Sequence, residues 1–582
     1  MGVSLRAYGQ LLARYLKHQW SRFALLVMLV CSSIGLQVVN PQILRSFIDA
    51  ASADAETGRL LIAAVAFLLA ALTQQVLGVA ATYTGELVAW TATNALREDL
   101  AAHSLTLDMQ FHNDRSPGEF VERIETDSTN FSNFFSQLVV RVAGNLLLLA
   151  GIVAAVAIEN RVLGGVFLVY TLMSLAALAK VRGISVPHQK ALRESETEMF
   201  AFLEERLAGT EDIRSCGAVD YVIGRLNALH GVIVKRWWMA EFSRLGIGTA
   251  GGMMLVLGYG IAFVSSYYLY TQGLITVGTA YLIFHYISLL SRPVRELTTQ
   301  VESLQNIGAT VERLQELFDQ KSTIVDGPSA AIPAGRPLAL EFDSVSFSYT
   351  EGKPVLKNVS FQLPAGRVLG LLGRTGGGKT TIARLLFRLY DPTDGCIMLD
   401  GIDIKQATLA ELRQRVAYVT QDVQLFQASV RDNITFFDRS IPDARILEVI
   451  EALGLAEWYR TLPEGLDTRL QSGGRSMSAG EAQLLALTRV FLRNPGLVVM
   501  DEASSRLDPS TEQFVERAVD RLLAGRTAII IAHRLGTVHR SDDIMVIDGG
   551  EIAEYGRRVE LMSDPGSRFY KLRQAGLEEL LA

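Results

Sequence analysis

Cysteine is scarce in this 582-residue chain: Cys31, Cys216 and Cys396 are its only three. They are too few and too scattered to staple a fold or to form a metal knuckle, which excludes a disulfide framework. Charge of one sign is lacking as well. With 55 basic and 61 acidic residues the formal net charge is −6, so no cationic surplus is offered to a polyanion and no nucleic-acid partner is expected. No small-residue cleavage site closes the first apolar run, Phe23 to Leu44. At 22 residues that run exceeds the roughly 7–15 of a signal peptide's apolar region. It reaches the roughly 20 that cross a bilayer as a helix. Nor does any segment repeat with the roughly 20–50-residue period of a solenoid or propeller.

What the chain has in quantity is apolar surface. Hydrophobic residues make up 49% and mean hydropathy is +0.24, high for a soluble protein of this length, which points to a membrane-embedded part. Four more charge-free stretches follow the first: Leu60–Gly85, Val142–Ile158, Val162–Ala179 and Leu245–Ser291. The last has 47 residues, room for two crossings with a turn near Thr271-Gln272-Gly273. Six membrane helices are therefore expected. Arg6, Arg14, Lys17 and Arg22 precede the first helix with no acid among them, which keeps the N-terminus cytoplasmic. An even number of spans returns the C-terminus to the same side. The exterior connection Glu159-Asn160-Arg161 is a tight turn, whereas residues 86–135 and 180–244 are long, charged and helix-patterned. These fit helices that continue into the cytosol. Glu86, Arg141 and His285 lie in or near the expected membrane helices, where an ionisable group is either an interfacial or interhelical partner or part of a functional site.

Residues 292–320 read as one amphipathic helix leaving the membrane. Residues 321–337, KSTIVDGPSAAIPAGRP, have the Pro, Gly and Ser content of a linker. From about Leu338 short β-branched runs alternate with helical patterns, which predicts an α/β domain with a largely parallel core. The expected divisions are a transmembrane domain over 1–320, a linker over 321–337 and an α/β domain over 338–582.

The α/β part carries phosphate chemistry. The strand-like Val368–Leu372 leads into GRTGGGKTT, and a helical pattern follows. This matches G-x-x-x-x-G-K-[ST] in the strand-then-helix context that the motif requires. Gly373, Arg374, Thr375, Gly376, Gly377, Gly378 and Thr381 would present backbone N–H groups to phosphate oxygens. Lys379 would reach the β- and γ-phosphates of ATP, and the Thr380 hydroxyl would ligate Mg2+. Downstream, an apolar run ends in Asp501-Glu502. Adjacent side chains on a strand point in different directions, so Asp501 suits the metal side and Glu502 the attacking water, as general base. His533 ends a further buried-looking strand, a candidate contact for the γ-phosphate or the water. Gln421, at another strand end, is placed to sense the metal or the water. Tyr349 supplies a flat ring for stacking on adenine.

Taken together these residues resemble the nucleotide-binding domain of an ABC transporter. Tyr349, GRTGGGKTT, Gln421, the stretch SMSAGEAQ, VVMDEASSRLD and His533 stand in the order of the family's A-loop, Walker A, Q-loop, signature, Walker B with D-loop, and H-loop. With six helices upstream, the whole chain is similar to a half-transporter of the exporter type, type IV fold: an α-helical transmembrane domain followed by an α/β P-loop ATPase. The resemblance implies ATP-driven export by alternating access and residence in a cell membrane as a multi-pass protein, such as the bacterial inner membrane. The N-terminus and the ATPase domain would be cytoplasmic. It also implies two paired chains that hold ATP between the phosphate loop of one and the signature loop of the other. Short coupling helices are expected near 114–119 and 211–216.

The signature departs from the family's Leu-Ser-Gly-Gly-Gln. Ser478 and Gly480 are kept as ATP-contacting positions, but Ala479 replaces a glycine, Glu481 the glutamine and Ala482 the following basic residue. Arg475 stands close by to offset part of the added charge. Ser472 occupies the position of a coupling-loop glutamate. A sound acid and an altered signature belong to different sites in such a dimer. The expected partner is therefore a second half-transporter, a different chain with a defective Walker B and an intact signature. A homodimeric exporter, an exporter-fold importer or a lipid flippase are the alternatives. The cargo is expected to be a small, amphipathic or lipophilic molecule.

Overall fold

The computed structural model describes residue 11 and residues 13–131, 141–328, 330–350, 352–420, 423–471, 477–501, 509–532 and 538–574. It divides into two compact units, Met1–Leu105 with Pro117–Gln320, and Thr106–Ser116 with Lys321–Ala582.

The first unit is helical. Its elements are α1 (Trp20–Ser52) and α2 (Thr57–Thr106); after the short α3 (Met109–Asn113), which clusters with the second unit, come α4 (Pro117–Val121), α5 (Gly144–Glu159), α6 (Arg161–Ala208), α7 (Thr210–Ser215), α8 (Val219–Thr271) and α9 (Val277–Asp319). Among the described residues five helices are long and apolar enough to cross a membrane. The expected sixth, α9, is not one of them: Tyr281, His285 and Tyr286 lower its hydropathy. Its Leu282, Ile283, Ile287 and Leu290 are nonetheless buried against α5, α6 and α8. α6 and α8 have 48 and 53 residues, about 70–80 Å at roughly 1.5 Å per residue, against a hydrocarbon core of roughly 30 Å. Each therefore runs well beyond the bilayer, as the charged interior segments suggested.

Local chemistry sets the turns. Asn160 accepts hydrogen bonds from Val162 and Leu163 N–H at 2.9 and 3.2 Å and caps α6. That is why Glu159-Asn160-Arg161 suffices as a connection. α8 ends at Thr271, and Gly273 takes φ +69° before α9 begins, so the 47-residue stretch turns where expected. At the outer end of α1, Asp49 accepts the Gly278 N–H at 2.8 Å and the Thr276 hydroxyl at 2.8 Å, while Arg45 pairs with Glu159. On α2, Leu61, Ile62, Leu68, Leu69, Leu72, Val76 and Val79 are all exposed, an apolar face fit for lipid rather than water.

The second unit holds two sheets. β1 (Leu340–Ser348), β2 (Pro354–Leu363), β4 (Asp394–Leu399) and β5 (Ile402–Asp403) form an antiparallel sheet ordered β2-β1-β4-β5. The six-stranded sheet runs β10-β9-β3-β8-β7-β6. Its members are β3 (Val368–Gly373), β6 (Val416–Val419), β7 (Leu497–Asp501), β8 (Thr527–Ile531), β9 (Asp543–Asp548) and β10 (Glu551–Arg557). All its pairings are parallel except β9 with β10, so the C-terminal ends of β3, β6, β7 and β8 share one edge, where ligands collect in such sheets. α10 (Lys379–Leu386) follows β3, α11 (Ala479–Arg493) begins within the signature stretch, and α12 (Pro509–Leu523) follows the segment after β7.

Within the segment expected as a linker, Gly327 and Ala330 N–H donate to the Ala407 and Gln406 carbonyls at 3.1 and 3.0 Å, and Ile332 is buried. The ATPase contact of residues 106–116 is made by α3, just before the expected 114–119. Asn113 donates to the Tyr390 hydroxyl at 2.7 Å and Gln110 to the Tyr349 carbonyl at 3.3 Å. α7 overlaps the second expected position, 211–216.

Candidate functional site

The phosphate loop sits where its glycines are sterically required. Gly378, at φ +101°, leads into α10, and a Cβ there would stand 2.6 Å from Leu356 Cδ2 and 3.2 Å from the Val355 carbonyl. Gly373 ends β3 with the Ile547 carbonyl 2.2 Å from where its Cβ would be. Lys379 is buried, and its ammonium donates to the Gly373 and Arg374 carbonyls at 2.7 and 3.0 Å. Gly377 N–H closes the turn onto the Arg374 carbonyl at 3.0 Å. Thr380 donates to Asp501 Oδ2 at 3.2 Å, which brings the end of β7 against the start of α10. The Tyr418 hydroxyl donates to the same oxygen at 3.3 Å. Burial and the Asp501 carboxylate push the Tyr418 phenol well above its ordinary range, so it stays a donor.

One cavity of about 640 Å³ gathers Tyr349, Thr375, Gly376, Gly378, Lys379, Thr380, Thr381, Arg384 and Asp501. The Tyr349 hydroxyl lies 3.2 Å from Thr381 Oγ1 and accepts from Arg384 at 3.2 Å, while its ring packs edge-on against Phe347 and Tyr390. Gly373, Arg374 and Gly377 are not in the cavity's lining; the Gly373 and Arg374 carbonyls accept from Lys379. Gln421, Glu502 and His533 lie outside the described residues, as do Ser472 and Arg475. Reading the sequence missed Arg384 and Tyr418. Arg384 was findable as the i+3 neighbour of Thr381 on α10; Tyr418 needed the pairing of β6 with β7.

Ser478 and Gly480 are not among the residues lining that cavity. Ser478 is the N-cap of α11: its hydroxyl accepts the Glu481 N–H at 3.2 Å, and the Glu481 carboxylate accepts the Ser478 N–H at 2.8 Å. Ala479 is the first residue of that helix and is not among the positive-φ residues. Its methyl therefore meets no left-handed strain.

Comparison with known proteins decides the family. The family described as "ABC transporter" matches residues 356–505, and "ABC transporter transmembrane region" matches residues 23–294. YknV of Bacillus subtilis, an ABC transporter ATP-binding protein, is 30% identical over 81% of this chain and 78% of its own length. The chain belongs to the ABC transporters. A second relative of this ABC transporter is the fatty acid ABC transporter ATP-binding/permease protein of Mycobacterium tuberculosis, 29% identical over 82% of this chain and 76% of its own length. In structure the chain is similar to a bacterial Atm1-family ABC exporter solved with ATP bound, at a TM-score of 0.79 and 26% identity over 96% of this chain and 99% of the other. The chain is thus an exporter-type half-transporter, a multi-pass membrane protein with a cytoplasmic ATPase domain that drives transport with ATP.

The residues present fit ATP with Mg2+. The glycine cradle leaves room that a Cβ would fill, a buried ammonium lies under it, and a hydroxyl and a carboxylate meet at its edge. Thr380 and Asp501 are the two described groups that would hold the metal.

Proposed function

We propose that this chain is one half of a heterodimeric exporter with two unequal ATP sites, and that the site on its own phosphate loop is the hydrolytic one. The observation that carries the reading is the capping box at the start of α11. Glu481 stands where the family has glutamine, and it brings a full negative charge to the helix end that would face the partner's nucleotide. A glutamine would close the same box, so the substitution changes charge and leaves the local fold intact. At an effective dielectric of about 20, one such charge several ångströms from a phosphate opposes it by about 1–3 kcal/mol.

On the hydrolytic side, Lys379 and the loop N–H groups bind the phosphates, and the Tyr349 ring and Arg384 orient the base. Thr380 and Asp501 would hold Mg2+, which when bound would neutralise phosphate charge, and Gln421 has the role of sensing the metal or the water. Glu502 takes the proton of the attacking water, and His533 holds the γ-phosphate side. Ser478 and Gly480 serve the partner's loop. The partner is then a half-transporter with an intact signature and no effective base, and the cargo a small amphipathic molecule.

The test is subunit dependence. Purified alone in lipid, the chain is expected to hydrolyse ATP poorly and to gain full turnover when the partner is added. Full turnover with no other subunit contradicts the heterodimer and favours two identical copies.

A further inference from the structure

Four ionisable side chains from separate parts of the chain converge on one cavity inside the first unit. The cavity, about 750 Å³, takes Glu86 from α2, Arg141 just ahead of α5, Arg292 and Glu296 from α9, and Asn145 and Ile34 beside them. Its volume lies in the range of roughly 300–1,000 Å³ found for small-molecule sites. Three of these charges stand where charge-free stretches stop. Glu86 directly follows Leu60–Gly85, Arg141 directly precedes Val142–Ile158, and Arg292 directly follows Leu245–Ser291. With a cytoplasmic N-terminus and alternating spans, each of those ends is the cytoplasmic one. The charged wall therefore lies at the inner boundary of the bilayer, and Ile34, in the middle of the first apolar run, lies deeper.

The wall is built rather than incidental. Glu296 is held on both oxygens: Arg292 Nε donates to Oε1 at 2.8 Å and Asn145 Nδ2 to Oε2 at 2.9 Å, which ties α9 to α5. Arg141, four residues before Asn145, lines the same cavity as a second cation, and Glu86 supplies a second carboxylate. His285, the other ionisable candidate, is not part of this lining; its ring stacks on Tyr281 with centroids 6.0 Å apart. Two cations and two carboxylates leave the lining without net charge but with both signs presented. A purely cationic or purely anionic guest compensates one sign and desolvates the other; a guest carrying both compensates both.

The geometry points to a cargo site for an amphipathic zwitterion, its acid group toward Arg141 and Arg292, its ammonium toward Glu86 and its apolar body toward Ile34. This rests on the exporter reading above and sharpens its cargo from amphipathic to doubly charged. The test uses the full transporter with its partner in lipid nanodiscs and four forms of one dipeptide, leucyl-phenylalanine: the free zwitterion, the N-acetyl anion, the C-terminal amide and the doubly capped neutral form. Equilibrium binding of the zwitterion is expected to exceed that of every capped form by about tenfold or more. Arg141→Gln should erase the preference over the amide, Glu86→Gln the preference over the N-acetyl form, and Arg141→Lys should restore the former, each variant compared at an unchanged melting temperature. Equal or tighter binding of the doubly capped form, or no binding by any form, overturns the zwitterion site. ATP turnover in the same nanodiscs separates the two readings. Its absence counts against the energised exporter; its presence without charge preference counts only against this site.

Discussion

Two helix starts in the second unit answer the same physical demand in opposite ways. The first N–H groups of any helix lack intrahelical partners and carry partial positive charge. α10 begins behind Gly378, which has no side chain and gives no side-chain cap, so its donors are left for a phosphate. α11 begins behind Ser478 and is closed by the Glu481 carboxylate, so the chain has supplied its own anion there. The comparison teaches that a substitution can change the charge at a helix start while the local fold is kept. An acid at a helix start stabilises that start by roughly 0.3–1 kcal/mol and opposes any second anion that approaches it.

The comparison can be broken first at the proposed base. Glu502→Gln should lower steady-state ATP hydrolysis by about 10²–10⁴-fold, the range of general-base contributions, with ATP still bound; retained turnover would remove Glu502 from its role. Next is the open helix start itself. Gly378→Ala must place a Cβ at φ +101° and 2.6 Å from Leu356, a strain of about 1–3 kcal/mol. Both nucleotide binding and the melting temperature should fall. Unchanged ATP affinity would show that the loop tolerates a side chain.

The closed start offers a smaller and more selective effect. Glu481→Gln should tighten ATP at the partner's loop by roughly 5–150-fold, the equivalent of about 1–3 kcal/mol, and lower the melting temperature only slightly, because the capping box is kept and only the charge–dipole attraction is lost. Glu481→Ala should lose the cap as well and melt earlier. Unchanged ATP affinity in Glu481→Gln would show that charge is not what matters at this position. The smallest expected effect is a pH dependence at Asp108. Burial alone would raise its pKa, but hydrogen bonds from Ser322 and from Thr323 N–H and hydroxyl outweigh it and hold the carboxyl below its ordinary 3.8. A depressed carboxylate contributes stability above its unfolded pKa and loses it as pH falls through the folded one. Protection of residues 106–116 from hydrogen exchange should therefore be flat at neutral pH and decline only below about pH 4. Asp108→Asn should lack that decline.

Much of this was legible in the sequence because it rests on local rules. The phosphate loop follows from glycines in a strand-to-helix context, the α5–α6 turn from a capping asparagine, and the parallel sheet from runs such as TAIII and LVVM that are buried along their length. What the sequence hid depends on long-range pairing. The antiparallel sheet is joined by bulged registers between β1 and its neighbours, which no periodicity announces. Residues 106–116 continue a helical stretch, yet their side chains find Tyr349 and Tyr390 more than 230 positions away. Glu86 and Arg141 looked like separate boundary charges until the fold brought them to one wall with Arg292 and Glu296. The capping box was present as Ser-x-x-Glu in the letters, but only the geometry distinguishes an acid aimed at its own helix from one aimed at solvent.

The inequality of the two sites is tested most directly by vanadate trapping of 8-azido-ATP in the assembled transporter, followed by photolabelling. The label is expected on this chain, beside Tyr349 and its own phosphate loop, with little on the partner. Equal labelling of both subunits, or labelling of the partner alone, would contradict the account.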